Sequence, residues 1–197
     1  MSLRENQRFA FDRLLLKTKR VFVSMAGGGC EIGRAELCGI TLKQLRAVVA
    51  NMKRRCAAEG WTTWKGELLV VETVALYDAD KYIIRPFTVQ RRCAFVEMVA
   101  RAAQSPKWFV SHWWGEAILE FLACLEQHAQ DYGKDQYGRA FAGGTTEETP
   151  YWVCAYANNQ WALGDALTAD PGQTSFHKAM ALAAGTVSVL DKNGVVF

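Results

Sequence analysis

Apolar and polar positions along this chain follow helical spacing in some stretches and strand-like runs in others. The clearest helix begins at Thr41, where Thr41 and Gln44 form a capping-box pair and Leu42, Leu45, Val48, Val49, Met52 and Cys56 make one apolar stripe. Its other face carries Lys43, Arg46, Lys53, Arg54 and Arg55, and Gly60 is placed to close it in a left-handed cap. Upstream, residues 4–19 read as a helix around Phe9, Leu15 and Leu16, followed by a short strand over 21–24. Downstream, residues 61–64 and 68–77 are rich in strand formers, 82–85 read as a short strand before Pro86, and 91–103 return to helical spacing.

Beyond Ser105-Pro106 the pattern sharpens around residues 108–116. Trp108, Phe109 and Val110 read as a short buried strand ending near Gly115, and from Glu116 the apolar positions Ile118, Phe121, Leu122, Leu125 and Ala129 fall three or four apart. Residues 131–150 are polar and glycine-rich, a long surface loop. A second buried strand spans 151–156 with Asn158, Asn159 and Gln160 at its end, and a helix over 160–168 stops before Asp170-Pro171. Another helix starts at Thr174 or Ser175, turns Phe176, Ala179, Met180 and Ala183 inward and ends at Gly185. A third strand follows over 186–190, and then a turn from Asp191 to Gly194. Strands alternating with amphipathic helices imply a parallel sheet with the 108–111 strand in the middle.

Composition adds limits. With 197 residues, 50% of them hydrophobic and 22% charged, the chain is long enough for one large domain or two small ones. No run approaches the roughly 18 apolar residues a membrane helix needs, and the first residues contain no apolar signal region. The six cysteines are scattered without a C-x-x-C pair and the three histidines lie far apart. Reduced thiols, no metal site, no required cofactor and a cytoplasmic chain are therefore expected.

Charge divides the chain. Residues 1–105 hold 18 Lys and Arg against 10 Asp and Glu, whereas residues 106–197 hold 5 against 10. A basic, mostly helical α+β extension over 1–105 and an αβ unit over 106–197 are the units this suggests. No nucleic-acid-binding motif accompanies the basic half, so it reads as a solvated face. The glycine-rich stretch 26–34 has Ile32 where a dinucleotide fingerprint needs glycine and Arg34 where a P-loop needs lysine, so it reads as a loop.

The residues able to do chemistry gather at the predicted strand ends. Ser111 and His112 are adjacent on a strand and point to opposite faces, which argues against a serine nucleophile with its base. His112 instead suits a ligand or the turn backbone. Trp113 and Trp114 offer indole faces for stacking, with at least one expected in the core. Glu116 and Glu120 share a helical face, where capping is the simpler role and a contact to ribose hydroxyls the other. Asn158, Asn159 and Gln160 form an amide cluster suited to a ligand or to tying loops. Asp191 would stand across the crevice from His112 in such a sheet, and turn formation explains it equally well.

In order, residues 109–112 with Trp114 and Gly115, then Trp152 and Val153 with Asn159 and Gln160, then Phe176, Met180, Ala184 and residues 187–190 resemble the motifs of the heterokaryon-incompatibility (HET) and TIR-like superfamily. The resemblance covers about residues 106–197. Cys154 stands where the family usually has Asp, and the first motif has two tryptophans. The resemblance implies a flavodoxin-like (TIR-like) three-layer parallel sheet. In some TIR relatives it also implies cleavage of NAD by a glutamate on the helix after the third strand. Phe197 falls where that helix should start, so the sheet is expected to be partial and this part of the protein inactive alone. The resulting expectation is an intracellular signalling module that binds an NAD-like nucleotide at the carboxyl ends of its strands through Ser111, His112, Trp113, Glu116, Asn158, Asn159, Gln160 and Asp191. The alternative is a non-catalytic protein-protein interaction module that assembles with like domains.

Overall fold

A computed structural model describes residues 29–135, 137–140, 142–166 and 170–190. The helix expected over 4–19, the strand over 21–24 and the turn containing Asp191 lie outside the described residues. The capping box at Thr41 is formed: the Thr41 hydroxyl accepts the Gln44 amide at 3.2 Å, and the Gln44 side chain accepts the Thr41 amide at 2.9 Å. Thr41 also closes β1 (Ile40–Thr41), and the box opens α1 (Leu42–Glu59), which buries the predicted apolar stripe and ends at Gly60 in the left-handed conformation, φ 61°. Arg55, expected on the outward face, is instead buried. Its guanidinium meets Glu59 at 2.7 and 3.0 Å and lies over the ring of Trp61, whose indole N–H also donates to Glu59.

The strands expected next are mostly absent. Residues 61–77 contribute isolated bridges between Thr62 and Leu68 and between Ala75 and Ala117, and a 3-10 turn at Val71–Thr73. The strand expected over 82–85 is helical: Leu76–Ala79, Asp80–Ile84 and Arg85–Thr88 form a continuous run that buries Leu76, Ala79, Ile83, Ile84 and Phe87 at helical spacing. A wider π turn just before Pro86 lets the Arg85 amide reach the Asp80 carbonyl next to a residue that has no N–H of its own. Helix over 91–103 is limited to Val96–Val99.

The central strand is β2 (Trp108–Ser111), followed by α2 (Ile118–Tyr132). Two parallel neighbours flank β2. On one side β3 (Pro150–Trp152) sets Tyr151 opposite Trp108, and on the other β4 (Gly185–Ser188) sets Val187 opposite Val110. The second strand is shorter than expected, because after Val153 the chain turns into α3 (Cys154–Ala157). The next long helix, α4 (Ser175–Leu182), is capped by the Thr174 hydroxyl as anticipated, although Ala183 ends it and Gly185 already belongs to β4. β1 pairs antiparallel with the outer edge of β3, so the order is β1-β3-β2-β4. The all-parallel sheet expected from the second half is therefore mixed, with its fourth strand supplied by the first half.

Side chains alternate across this sheet as the two-residue strand period requires. On one face Phe109 stacks on Trp152, which meets Phe176 of α4; on the other Trp108 and Tyr151 pack on His128 of α2. Helices thus cover both faces of an open α/β sheet. No described helix is long and apolar enough to cross a membrane.

Candidate functional site

The turn after β2 folds inward. The His112 and Glu116 side chains are 1% and 2% exposed, with His112 Nδ1 3.3 Å from a Glu116 carboxylate oxygen that has no hydrogen-bond partner among the described residues. His112 Nε2 lies 3.7 Å from Cys154 Sγ at the start of α3, and the imidazole packs on Phe121. The Trp114 indole N–H donates to the same sulfur at 3.1 Å. Burial pulls the His112 pKa down, but the neighbouring Cys154 sulfur and Glu116 carboxylate outweigh it and raise the value from 6.5 to about 9.

Neither tryptophan is fully buried, although at least one was expected in the core. Trp114 is the inner member, half-buried against Tyr77, while Trp113 is 44% exposed and lies over Gly115, where an added Cβ would collide with the indole. At the start of α2 two amides are already paired: the Ile118 amide donates to the Val74 carbonyl at 2.9 Å and, just before the helix, the Glu116 amide to the Trp113 carbonyl at 3.3 Å. Ser111 is half-buried, its carbonyl accepting the Val189 amide.

The amide cluster sits elsewhere on the carboxyl side of the sheet. Because α4 leads back to the start of β4, its own first residues stand at the carboxyl ends of the strands. There Ser175 donates to the Asn158 side chain at 2.7 Å, and Asn158 is buried. Gln160, also buried, donates to the Ala155 carbonyl at 3.0 Å. Asn159 donates to the Arg92 carbonyl at 2.7 Å and accepts the Trp161 amide, tying two loops together.

Two cavities share Ala35 and Asn159 in their walls. One, of about 280 Å³, is bounded by Glu36, Asn158, Gln173, Ser175 and Lys178. The other, of about 530 Å³, is bounded by Glu31, Arg91, Arg92, Cys93 and Glu97. Of the residues singled out in the sequence, Asn158 and Asn159 border these cavities, whereas Ser111, His112, Trp113, Glu116 and Gln160 do not. Arg91, Arg92 and Lys178 were not anticipated. Nothing in their local sequence marks them, because only the fold brings residues 91–92 beside 159 and 178. Among the described residues no cluster of three or more His, Cys, Asp or Glu could hold a metal ion.

Fold and site together define a mixed, open α/β sheet with polar cavities beside the carboxyl ends of its parallel strands. No family model, curated protein or solved structure matches this chain.

Proposed function

We propose that this chain is a signalling module of TIR/HET-like type, flavodoxin-like in its parallel part, that binds an NAD-like nucleotide beside the carboxyl ends of its strands. The observation that carries this reading is the paired cavity at Asn159. Both parts are concave, as small-molecule sites are, and cations stand beside the neutral amides of Asn158 and Asn159, with Arg91 and Arg92 bordering the larger part and Lys178 the smaller. Guanidinium groups suit phosphate oxygens, and the carboxylates of Glu31 and Glu36 are acceptors of the kind ribose hydroxyls need. At about 280 and 530 Å³, neither space alone matches a dinucleotide, but the two joined give each half a compartment. The position agrees with the general rule that open α/β sheets bind ligands outside the carboxyl ends of their strands.

An interaction module assembling with like domains is the second reading. The exposure of Trp64 at 88%, Leu68 at 75% and Tyr77 at 60% within one segment favours it, since large apolar groups left in water are available for association. Calorimetric titration with NAD and with ADP-ribose, alongside sedimentation at rising protein concentration, separates the two. The nucleotide reading expects saturable binding that Arg92→Ala and Lys178→Ala each weaken by about tenfold, the loss of one charge-assisted hydrogen bond. No binding at millimolar ligand by a chain that self-associates would replace it with the interaction reading.

A further inference from the structure

Cys154, His112, Glu116 and Trp114 form a cluster that none of the cavities above includes. It joins the turn after β2 to the start of α3, bringing a thiol and an imidazole together across 42 residues of sequence. The sulfur has two nitrogen neighbours, the Trp114 indole at 3.1 Å and His112 Nε2 at 3.7 Å. An indole nitrogen only donates, so toward Trp114 the sulfur acts as an acceptor. The other imidazole nitrogen faces Glu116, whose buried carboxylate has no ion pair among the described residues except His112. A carboxylate removed from water in this way favours a positively charged imidazole beside it. A proton on His112 Nε2 would give the sulfur an N–H from each side.

We propose that Cys154 is a nucleophilic thiol, paired with His112 and oriented through Glu116, that reacts with small peroxides. None of the cavities described above reaches the sulfur, and Cys154 itself is only half-buried, which suits a reactant of two or three heavy atoms. The thiolate attacks one peroxide oxygen, the S–O bond forms and the O–O bond breaks. The departing hydroxide takes the Nε2 proton of His112 and leaves as water. Sulfur is oxidised to the sulfenic acid by two electrons, peroxide is reduced, and the imidazole is left neutral. Glu116 is a positioning residue, acting on the sulfur only through His112. The raised His112 pKa agrees with this arrangement; the titrating groups facing the imidazole are Cys154 from α3 and Glu116 from the turn before α2.

The protein carries its own reference thiol. Cys124 is exposed on α2, and burial together with Glu116 and Glu120 raises its pKa. Iodoacetamide labelling of the folded chain between pH 5.5 and 9, resolved by peptide mass spectrometry, compares the two in one sample. At pH 6.5 Cys154 should react at least tenfold faster than Cys124, and dilute hydrogen peroxide followed by dimedone should tag Cys154 first. His112→Asn should abolish the advantage at low pH, Glu116→Gln should move the pH profile of Cys154 labelling, and Trp114→Phe should slow labelling with the ring retained. Each variant is checked by its melting curve. Equal or slower labelling of Cys154 in the unaltered protein overturns the proposal without reference to any variant. So does a Glu116→Gln variant that is folded and keeps the original profile.

Discussion

At the scale of single residues, the pattern of apolar positions misplaced two side chains for the same reason. Arg55 sits in the basic face of a helix read as solvated, and Cys154 read as one of six reduced thiols; each has partners outside the pattern. For Arg55 the partners are Glu59 and Trp61, which leave the guanidinium 5% exposed. A buried ion pair adds little over apolar replacements, but breaking it strands a charge. Glu59→Ala should therefore cost about 3 to 5 kcal/mol in a urea melt, while the double change Arg55→Met with Glu59→Leu should recover most of that loss. Equal losses in the single and double variants would remove the buried-charge account. Of Trp113 and Trp114 at least one was expected in the core; Trp114 is the more buried but only half so, held by Tyr77 and Cys154, residues remote in sequence.

At the scale of elements, what could be read locally was read well. The capping box at Thr41, the left-handed Gly60 and the Thr174 cap depend on residues within a turn of one another, and all three are present. Short apolar runs were not legible in this way. Residues 82–85 satisfy a strand pattern as well as a helical one, and the choice fell to helix because Ile83, Ile84 and Phe87 join the same core as Leu76 and Ala79. β1 is the extreme case, two residues long and paired with a strand more than a hundred positions away. Its docking rests on Gly39, whose amide donates to the Gln104 carbonyl and whose position leaves no room for a side chain. A Cβ there would stand 2.8 Å from both the Gln104 oxygen and the Pro150 side chain. Gly39→Ala should lower stability by about 1 to 3 kcal/mol, an overpacking cost. Amide exchange at Ile40 and Tyr151 should rise well before that of α2. Unchanged exchange at those two amides would show that the edge strand tolerates the methyl group.

At the scale of the whole molecule, part of the division into a basic first half and an acidic second half is complementarity within one chain. Lys43 pairs with Glu148 at 2.6 Å, and Arg46 meets Glu126 and Glu147 at 2.7 and 2.8 Å, so the basic face of α1 lies against the acidic side of α2 and the loop before β3. These pairs are exposed and each contributes little. The buried His112 has more leverage on stability. Its folded-state pKa of about 9 lies above 6.5, so its contribution is complete below pH 6.5 and is lost as pH rises through about 9. The melting temperature of the unaltered protein should therefore fall between pH 7 and pH 9.5. By linkage the full contribution is on the order of 3 kcal/mol. Glu116→Gln should flatten that fall, and superimposable profiles for the two proteins would rule out the His112-Glu116 pair as its source. The sequence by itself determined the helix at Thr41, the strand-turn-helix after Pro106 and the central place of that strand, because periodicity, caps and turns act over a few residues. Only the tertiary structure decided the antiparallel fourth strand, the two cavities that share Asn159, one bordered by Arg91 and Arg92 and the other by Lys178, and the meeting of Cys154 with His112. Those contacts join residues far apart in the chain, and no local energy distinguishes them before the core has formed.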